Sequence, residues 1–108
     1  MMTELDRYRT AELLFSQRRY TQAARELESL LGEQAPAYGV GEAPLLLARA
    51  YYHSAQLERA AQAAARLVEA DGTDGYAVLL LARSLQRLGR GAEAQGWLRR
   101  AEALGVTP

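Results

Sequence analysis

The chain is predicted to be all-α, three antiparallel helix pairs in series. Three observations predict this: a composition that favours helix, an internal period of 34 residues, and turn signals that cut the chain into six segments. Apolar residues make up 49% of the 108 residues, and Ala and Leu supply most of them, whereas β-branched residues are few and Ile does not occur. Ala and Leu favour helix, and β-branched side chains favour strand. The segments beginning at Leu45 and Leu79 align without gaps when Leu47 is set against Leu81, a period of 81 − 47 = 34. In that register Ala48 meets Ala82, Arg49 meets Arg83, Ala60 meets Ala94 and Arg66 meets Arg100. The first third aligns at an offset of 48 − 11 = 37, pairing Ala11 with Ala48, Leu14 with Tyr51, Tyr20 with Leu57 and Ala23 with Ala60. Three extra residues therefore belong to the first junction. A fixed period of this size marks stacked supersecondary units.

Taken in order, Thr3 can cap a first helix running to about Arg18, and a second follows from about Thr21 to Leu31, with Gly32 as its stop. The segment EQAPAYGVGEAP, with Pro36, Gly39, Gly41 and Pro44, reads as a long loop over about residues 32–43. A third helix covers about Ala43 to Ala55 and a fourth about Glu58 to Ala70, after which DGTDG interrupts the chain. The fifth runs from about Gly75 to Leu88 and stops at Gly89, and the sixth ends at Leu104 before Gly105. The whole chain, 1–108, is then one domain of three units at about 3–36, 43–74 and 75–105.

The apolar spacing gives these helices a common core. In the fifth helix Val78, Leu81, Ala82, Leu85 and Leu88 recur at three- and four-residue intervals, as a buried helical stripe requires. Ala60, Ala64, Leu67 and Val68 do the same in the fourth, and small residues there allow close helix approach. Ala11, Ala48 and Ala82 are expected where the helices of a pair touch, so that a larger side chain would force the pair apart.

Composition also excludes functions. Thirteen basic and thirteen acidic residues cancel, which leaves no overall field to attract nucleic acid or an anionic membrane. Every basic residue is Arg, and Lys, Asn, Ile and Cys are missing, a bias that hints at a bacterial source. Without Cys there is no disulfide, thiolate nucleophile or Cys-based zinc site. The start, MMTELDRYRT, has no apolar core of the kind a signal peptide needs, and apolar runs such as Ala77 to Ala82 are too short for a membrane span. A cytoplasmic location is expected. No Gly-rich phosphate loop, metal-ligand cluster or nucleophile paired with a base occurs, so neither an enzyme nor a cofactor is expected. His53 has no second His or Cys to help it bind a metal, and reads as a polar helix residue.

With its period, turns and small-residue positions, the chain resembles the tetratricopeptide repeat family, whose unit is two antiparallel helices in about 34 residues. The resemblance covers nearly the whole chain. The family's small residue of the first helix is matched by Ala11, Ala48 and Ala82, and the large residue after it by Leu14, Tyr51 and Leu85. The glycine ending that helix is kept only as Gly89, with Arg18 and Ala55 elsewhere. In the second helix the small residue is matched by Ala23, Ala60 and Ala94, the large apolar residue by Leu27 and Leu98, and the later small residue by Ala101. Ala64, Leu30 and Leu67 depart from the size pattern, and Gly72 stands in place of an inter-repeat Pro.

The resemblance implies a right-handed superhelix whose first helices line a concave groove for peptides or protein segments. Its groove positions fall on Leu5, Tyr8, Glu12, Phe15 and Ser16, then Glu42, Leu45, Arg49, Tyr52 and His53, then Tyr76, Leu79, Arg83, Gln86 and Arg87. Arg49 and Arg83 hold the same place in successive units, ~10 Å apart for packed helices. That is roughly three residues of extended peptide, so acidic groups at this spacing would meet charge-assisted contacts, shared by Arg87. Tyr8, Phe15, Tyr52 and Tyr76 would add rigid amphipathic surface. The plainer reading is that these Arg residues solvate an Ala-rich helix, with Glu12 or Glu42 neutralising Arg49, and that Tyr51 and Tyr52 belong to the core. Some relatives grip a terminal carboxylate with Lys, Arg and Asn, but the corresponding places here are Tyr8, Glu12, Leu46, Tyr76 and Leu80. That clamp is absent.

Two uses follow. An adaptor would hold a protein or peptide partner, with acidic or aromatic residues, on the concave face. An assembly module would pair with itself through the last unit, where only three residues follow Gly105 and where Leu85, Leu88, Trp97 and Leu104 are expected to form an uncovered patch. Nucleic acid and membrane are not expected partners.

Overall fold

A computed structural model describes residues 3–32 and 42–106. Six helices occur among them: α1 (Glu4–Ser16), α2 (Tyr20–Leu31), α3 (Ala43–His53), α4 (Leu57–Ala70), α5 (Gly75–Arg87) and α6 (Gly91–Ala103). They form three antiparallel helix pairs stacked in sequence. Most of the expected first inter-unit loop, including Pro36, Gly39 and Gly41, lies outside the described residues.

Short-range chemistry sets the helix starts. Thr3 and Asp6 form a reciprocal box, Asp6 N donating to Thr3 Oγ1 and Thr3 N donating to Asp6 Oδ2, both at 3.1 Å. The bonds to Thr3 hold the Asp6 carboxyl below its usual pKa. Asp74 caps α5 by accepting from Ala77 N at 3.2 Å, and Pro44 sits in the first turn of α3.

The second helix of each pair has no side-chain cap, because the turn before it does the work. Arg18, Ala55 and Gly89 all adopt positive φ, at 62°, 61° and 79°. Arg19 N then donates back to Leu14 O at 2.8 Å, Gln56 N to Tyr51 O at 2.8 Å and Arg90 N to Leu85 O at 2.9 Å, while the residue before each donates three positions back. This is the left-handed C-terminal motif that satisfies the last carbonyls of a helix. The same three residues then accept from Ala23, Ala60 and Ala94 to open the next helix. The repeat is thus written in the turns, although only one of them carries glycine.

A β-carbon in this conformation is strained, so Ala55→Gly should raise stability by ~0.5–1 kcal/mol and Gly89→Ala should lower it by a similar amount. Urea unfolding of the two variants measures this, and equal midpoints for both would contradict it.

Small residues set the spacing of the layers. Ala11, Ala48 and Ala82, and Ala23, Ala60 and Ala94, are all completely buried at the positions the repeat register aligns, and so is Ala101, whose counterparts are Leu67 and Leu30. Each second helix packs on the first helix of the next unit, α2 on α3 and α4 on α5. First helices also touch one another, α1 with α3 and α3 with α5, whereas α2 and α4, and α4 and α6, make no such contact among the described residues. The first helices therefore form an inner layer and the second helices splay outward. The molecule measures 46 × 25 × 23 Å. The buried polar side chain of this core, Ser84, is satisfied by donating to Leu80 O at 2.8 Å.

The ends differ from the expected terminal patch. Leu85 is buried at 4% exposure because α6 and α4 close over it, and Leu88 and Trp97 are half-buried against the same core. Of that set Leu104 alone is exposed. The register explains the loss of the patch. Ala24, Leu27 and Leu31 of α2, and Ala61, Ala64 and Val68 of α4, are the buried residues that meet the next unit. Their counterparts in α6 are Gln95, Leu98 and Glu102, two of them exposed and polar. The more exposed leucines, Leu5 at 48% and Leu13 at 57%, lie at the other end, on α1.

Candidate functional site

The inner layer places a stripe of α3, Leu45, Arg49, Tyr52 and His53, beside a stripe of α5, Tyr76, Leu79, Leu80 and Arg83. Between them lies a cleft of about 500 Å³. Both stripes repeat at three and four residues, so each faces one side of its helix. Because the two helices are in register, the cleft is layered. The 34-residue register pairs Leu45 with Leu79 and, one turn on, Arg49 with Arg83, and all four line the cleft. Leu79 is 8% exposed and forms floor, while Tyr76 is 71% exposed at the mouth.

Seven of the eight lining residues are groove positions expected from the sequence. Leu80 is the addition, and the expectation placed it only as a departure from the carboxylate clamp. Of the remaining expected groove residues, Tyr8 and Phe15 are half-buried on α1, against the α1–α3 core, and Glu12 is exposed beside them. They extend the inner face toward the first unit but do not line the cleft.

At the far end of the inner face, the aromatic and Arg residues contact one another. His53 stacks on Tyr20 with ring centroids 4.8 Å apart and meets Phe15 and Tyr52 edge-on at 5.6 and 5.5 Å. Phe15 also meets Tyr20 edge-on at 5.0 Å. Arg49 lies over the Phe15 ring at 4.7 Å, and Arg87 over the Tyr52 ring at 4.9 Å, with Arg87 Nη1 donating to Tyr52 O at 3.2 Å. These contacts join all three units. The role of Tyr20 was not legible from the groove register, since it opens a second helix.

Arg49 thus finds a ring rather than the carboxylate of Glu12 or Glu42. The ion pairs among the described residues join Arg90 to Glu93 and Glu58 instead. Arg83 and Arg49 leave the cleft with positive charge and no acidic lining residue. Burial, then Arg49 and Arg87, push the His53 pKa below its ordinary 6.5. The fold therefore favours neutral imidazole, and the stability this adds is present above pH 6.5 and declines as pH falls through the folded value. Imidazole NMR titration should give a midpoint below 6.5, moving upward in Arg49→Ala. A midpoint unchanged in that variant would remove Arg49 as a cause.

Tyr51 is core, as one sequence reading had it, and its hydroxyl donates to Glu28 Oε2 at 2.8 Å. Burial first, and then Glu28, push its phenol from 10.0 up to about 12. The neutral phenol is the form the fold retains, so this contribution is complete below pH 10.0 and is lost as pH rises through about 12. Phenolate absorbance should lose its latest-titrating component, near pH 12, in Tyr51→Phe.

Among the described residues no group of three or more His, Asp or Glu side chains could hold a metal ion, and no helix is long and apolar enough to cross a membrane. Fold and cleft together define a helical-repeat domain of three hairpin units. Comparison with protein-family models, curated proteins and solved structures finds no significant match.

Proposed function

We propose that the protein is an adaptor of the tetratricopeptide type that holds a peptide or protein segment in the cleft between α3 and α5. The observation that carries this reading is the cleft's lining: an apolar floor of Leu45, Leu79 and Leu80 beneath two arginines, with no acidic residue among the described residues that line it. The segment such a lining suits carries an acidic side chain next to a bulky apolar one. A right-handed superhelix of the family type is part of the same reading, supported by the 34-residue period and by three left-handed turns at equivalent places. A bacterial setting fits the Arg-only basic composition, and a cytoplasmic one fits the lack of Cys.

The test is an array of peptides of about eight residues, each long enough at ~3.3 Å per residue to cross the cleft. Binding concentrated on acidic–apolar sequences, and lost in an Arg49→Glu/Arg83→Glu protein, supports the reading. Binding insensitive to that double substitution rejects it. Self-assembly through the last unit has less support, because Gln95 and Glu102 occupy the face that would have to be apolar.

A further inference from the structure

We propose that the outer notch between α2 and α4 is a second binding site, separate from the inner cleft, and that it takes an aromatic side chain of a protein partner. The notch encloses about 490 Å³ over a floor of Leu47 and Tyr51, between Glu28 and Gly32 at the α2 side and Arg59, Gln62, Ala63 and Arg66 on α4, with Arg59 held by donating to Gln56 Oε1 at 2.9 Å. Among the described residues it lies open between α2 and α4, whose backbones come no closer than 8 Å between Cα atoms.

The next unit of the same chain shows what fills such a position. The register that sets Leu47 against Leu81 also sets Ala63 against Trp97, since 97 − 63 = 34, and Arg66 against Arg100. Trp97 is half-buried and packs on the core shared by α4, α5 and α6, a core that includes Leu81 and Leu85. The Arg100 guanidinium lies 5.7 Å from the Trp97 ring centroid, and Arg100 is anchored by donating to Gly72 O at 3.1 Å. In the earlier unit a methyl group stands where the indole stands in the later one. Tyr51, in place of Leu85, occupies part of the volume, yet the notch remains.

The chemistry of the rim selects the occupant. Leu47 and the Tyr51 ring offer an apolar floor. Arg66, exposed like its counterpart Arg100, is placed to stack on an inserted ring. Glu28 already accepts from the Tyr51 hydroxyl, and its carboxylate can accept a further N–H or O–H. An aliphatic side chain would use the floor but neither rim group. Indole uses all three.

Titration of the isotope-labelled full chain with N-acetyl-tryptophanamide tests this by NMR. Saturable amide shifts should cluster at Glu28, Leu47, Tyr51 and Ala63 to Arg66, with a dissociation constant on the order of millimolar for one side chain. N-acetyl-leucinamide should bind several-fold more weakly. Arg66→Ala should weaken the tryptophan probe several-fold, and Ala63→Trp, which supplies the ring intramolecularly, should abolish its binding. Arg49→Glu/Arg83→Glu should leave it unchanged, which separates this site from the inner cleft. Shifts confined to the cleft, absence of saturation, or equal binding in Arg66→Ala would overturn the proposal. The wild-type map and Arg66→Ala decide the matter even if Ala63→Trp does not fold.

Discussion

Leu27→Ala should lower the unfolding free energy by about 3 kcal/mol and the thermal midpoint by roughly 10–20 °C. Leu27 is fully buried and is among the largest side chains in the molecule with no exposure. It projects from α2 into the junction with Ala11, Leu31, Ala43 and Leu46, so it belongs at once to the first pair and to the seam with the second. Truncation removes apolar area and leaves a cavity that neighbouring helices can close only by shifting together. In a repeat array, stability is nearly a sum of units and nearest-neighbour seams. Loss at this seam should therefore release the first pair before the other two. Denaturant unfolding would show a lower midpoint, together with early hydrogen exchange in α1 and α2. Leu13→Ala, at a residue 57% exposed, is the control and should change stability by less than ~0.5 kcal/mol. Equal effects of the two would mean that the seam is not where the first unit is held.

Charge reversal of Arg49 and Arg83 together should weaken binding of an acidic–apolar peptide about a hundredfold. Each arginine offers a charge-assisted contact worth ~1.5–3 kcal/mol, and every 1.4 kcal/mol is about tenfold in affinity. The loss of one such contact from each position, even at the lower end of that range, gives about two powers of ten before repulsion is counted. The two positions differ in side effects. Arg49 also lies over Phe15, so its reversal gives up an exposed cation–π contact worth ~0.5–1 kcal/mol of fold stability. Arg83 has no such partner, and Arg83→Glu alone should weaken binding with little change in thermal midpoint. Calorimetric titration, with circular dichroism as a check on folding, separates the two. A loss of affinity that tracks only the loss of stability would refute the contact.

The helices were legible to within one or two residues because their signals are local. Thr3, Gly32 and Gly89 are start and stop chemistry that needs no neighbour, and the Ala positions at 11, 48 and 82 are marked by the period itself. The cleft was legible only through the family resemblance, which implied Leu45, Arg49, Tyr52 and His53 as groove positions on one face of a helix. Partners across the seams were not. Nothing in the one-dimensional pattern pairs Arg49 with Phe15 or Tyr20 with His53, because those contacts join residues on different helices whose distance depends on how the units stack. Leu85, expected in an uncovered terminal patch, is buried for the same reason. Leu85 has the spacing of a surface-end residue only if α6 is ignored, and α6 covers it.

The amino-acid sequence by itself determined that this protein is helical, that it repeats, and where each unit turns. Periodicity and backbone preference act over a few residues and persist in any packing. It also determined the absence of thiol chemistry and of net charge. Tertiary structure alone decided which side chains are free. It set Arg87 over Tyr52, Arg49 over Phe15 and His53 on Tyr20 within the inner face, and lined the cleft with Arg49 and Arg83 and no acidic side chain among the described residues. It closed the last unit with Gln95 and Glu102 and left the notch over Tyr51 open where Ala63 replaces an indole. Those outcomes depend on distances between elements far apart in the chain, and only packing fixes such distances.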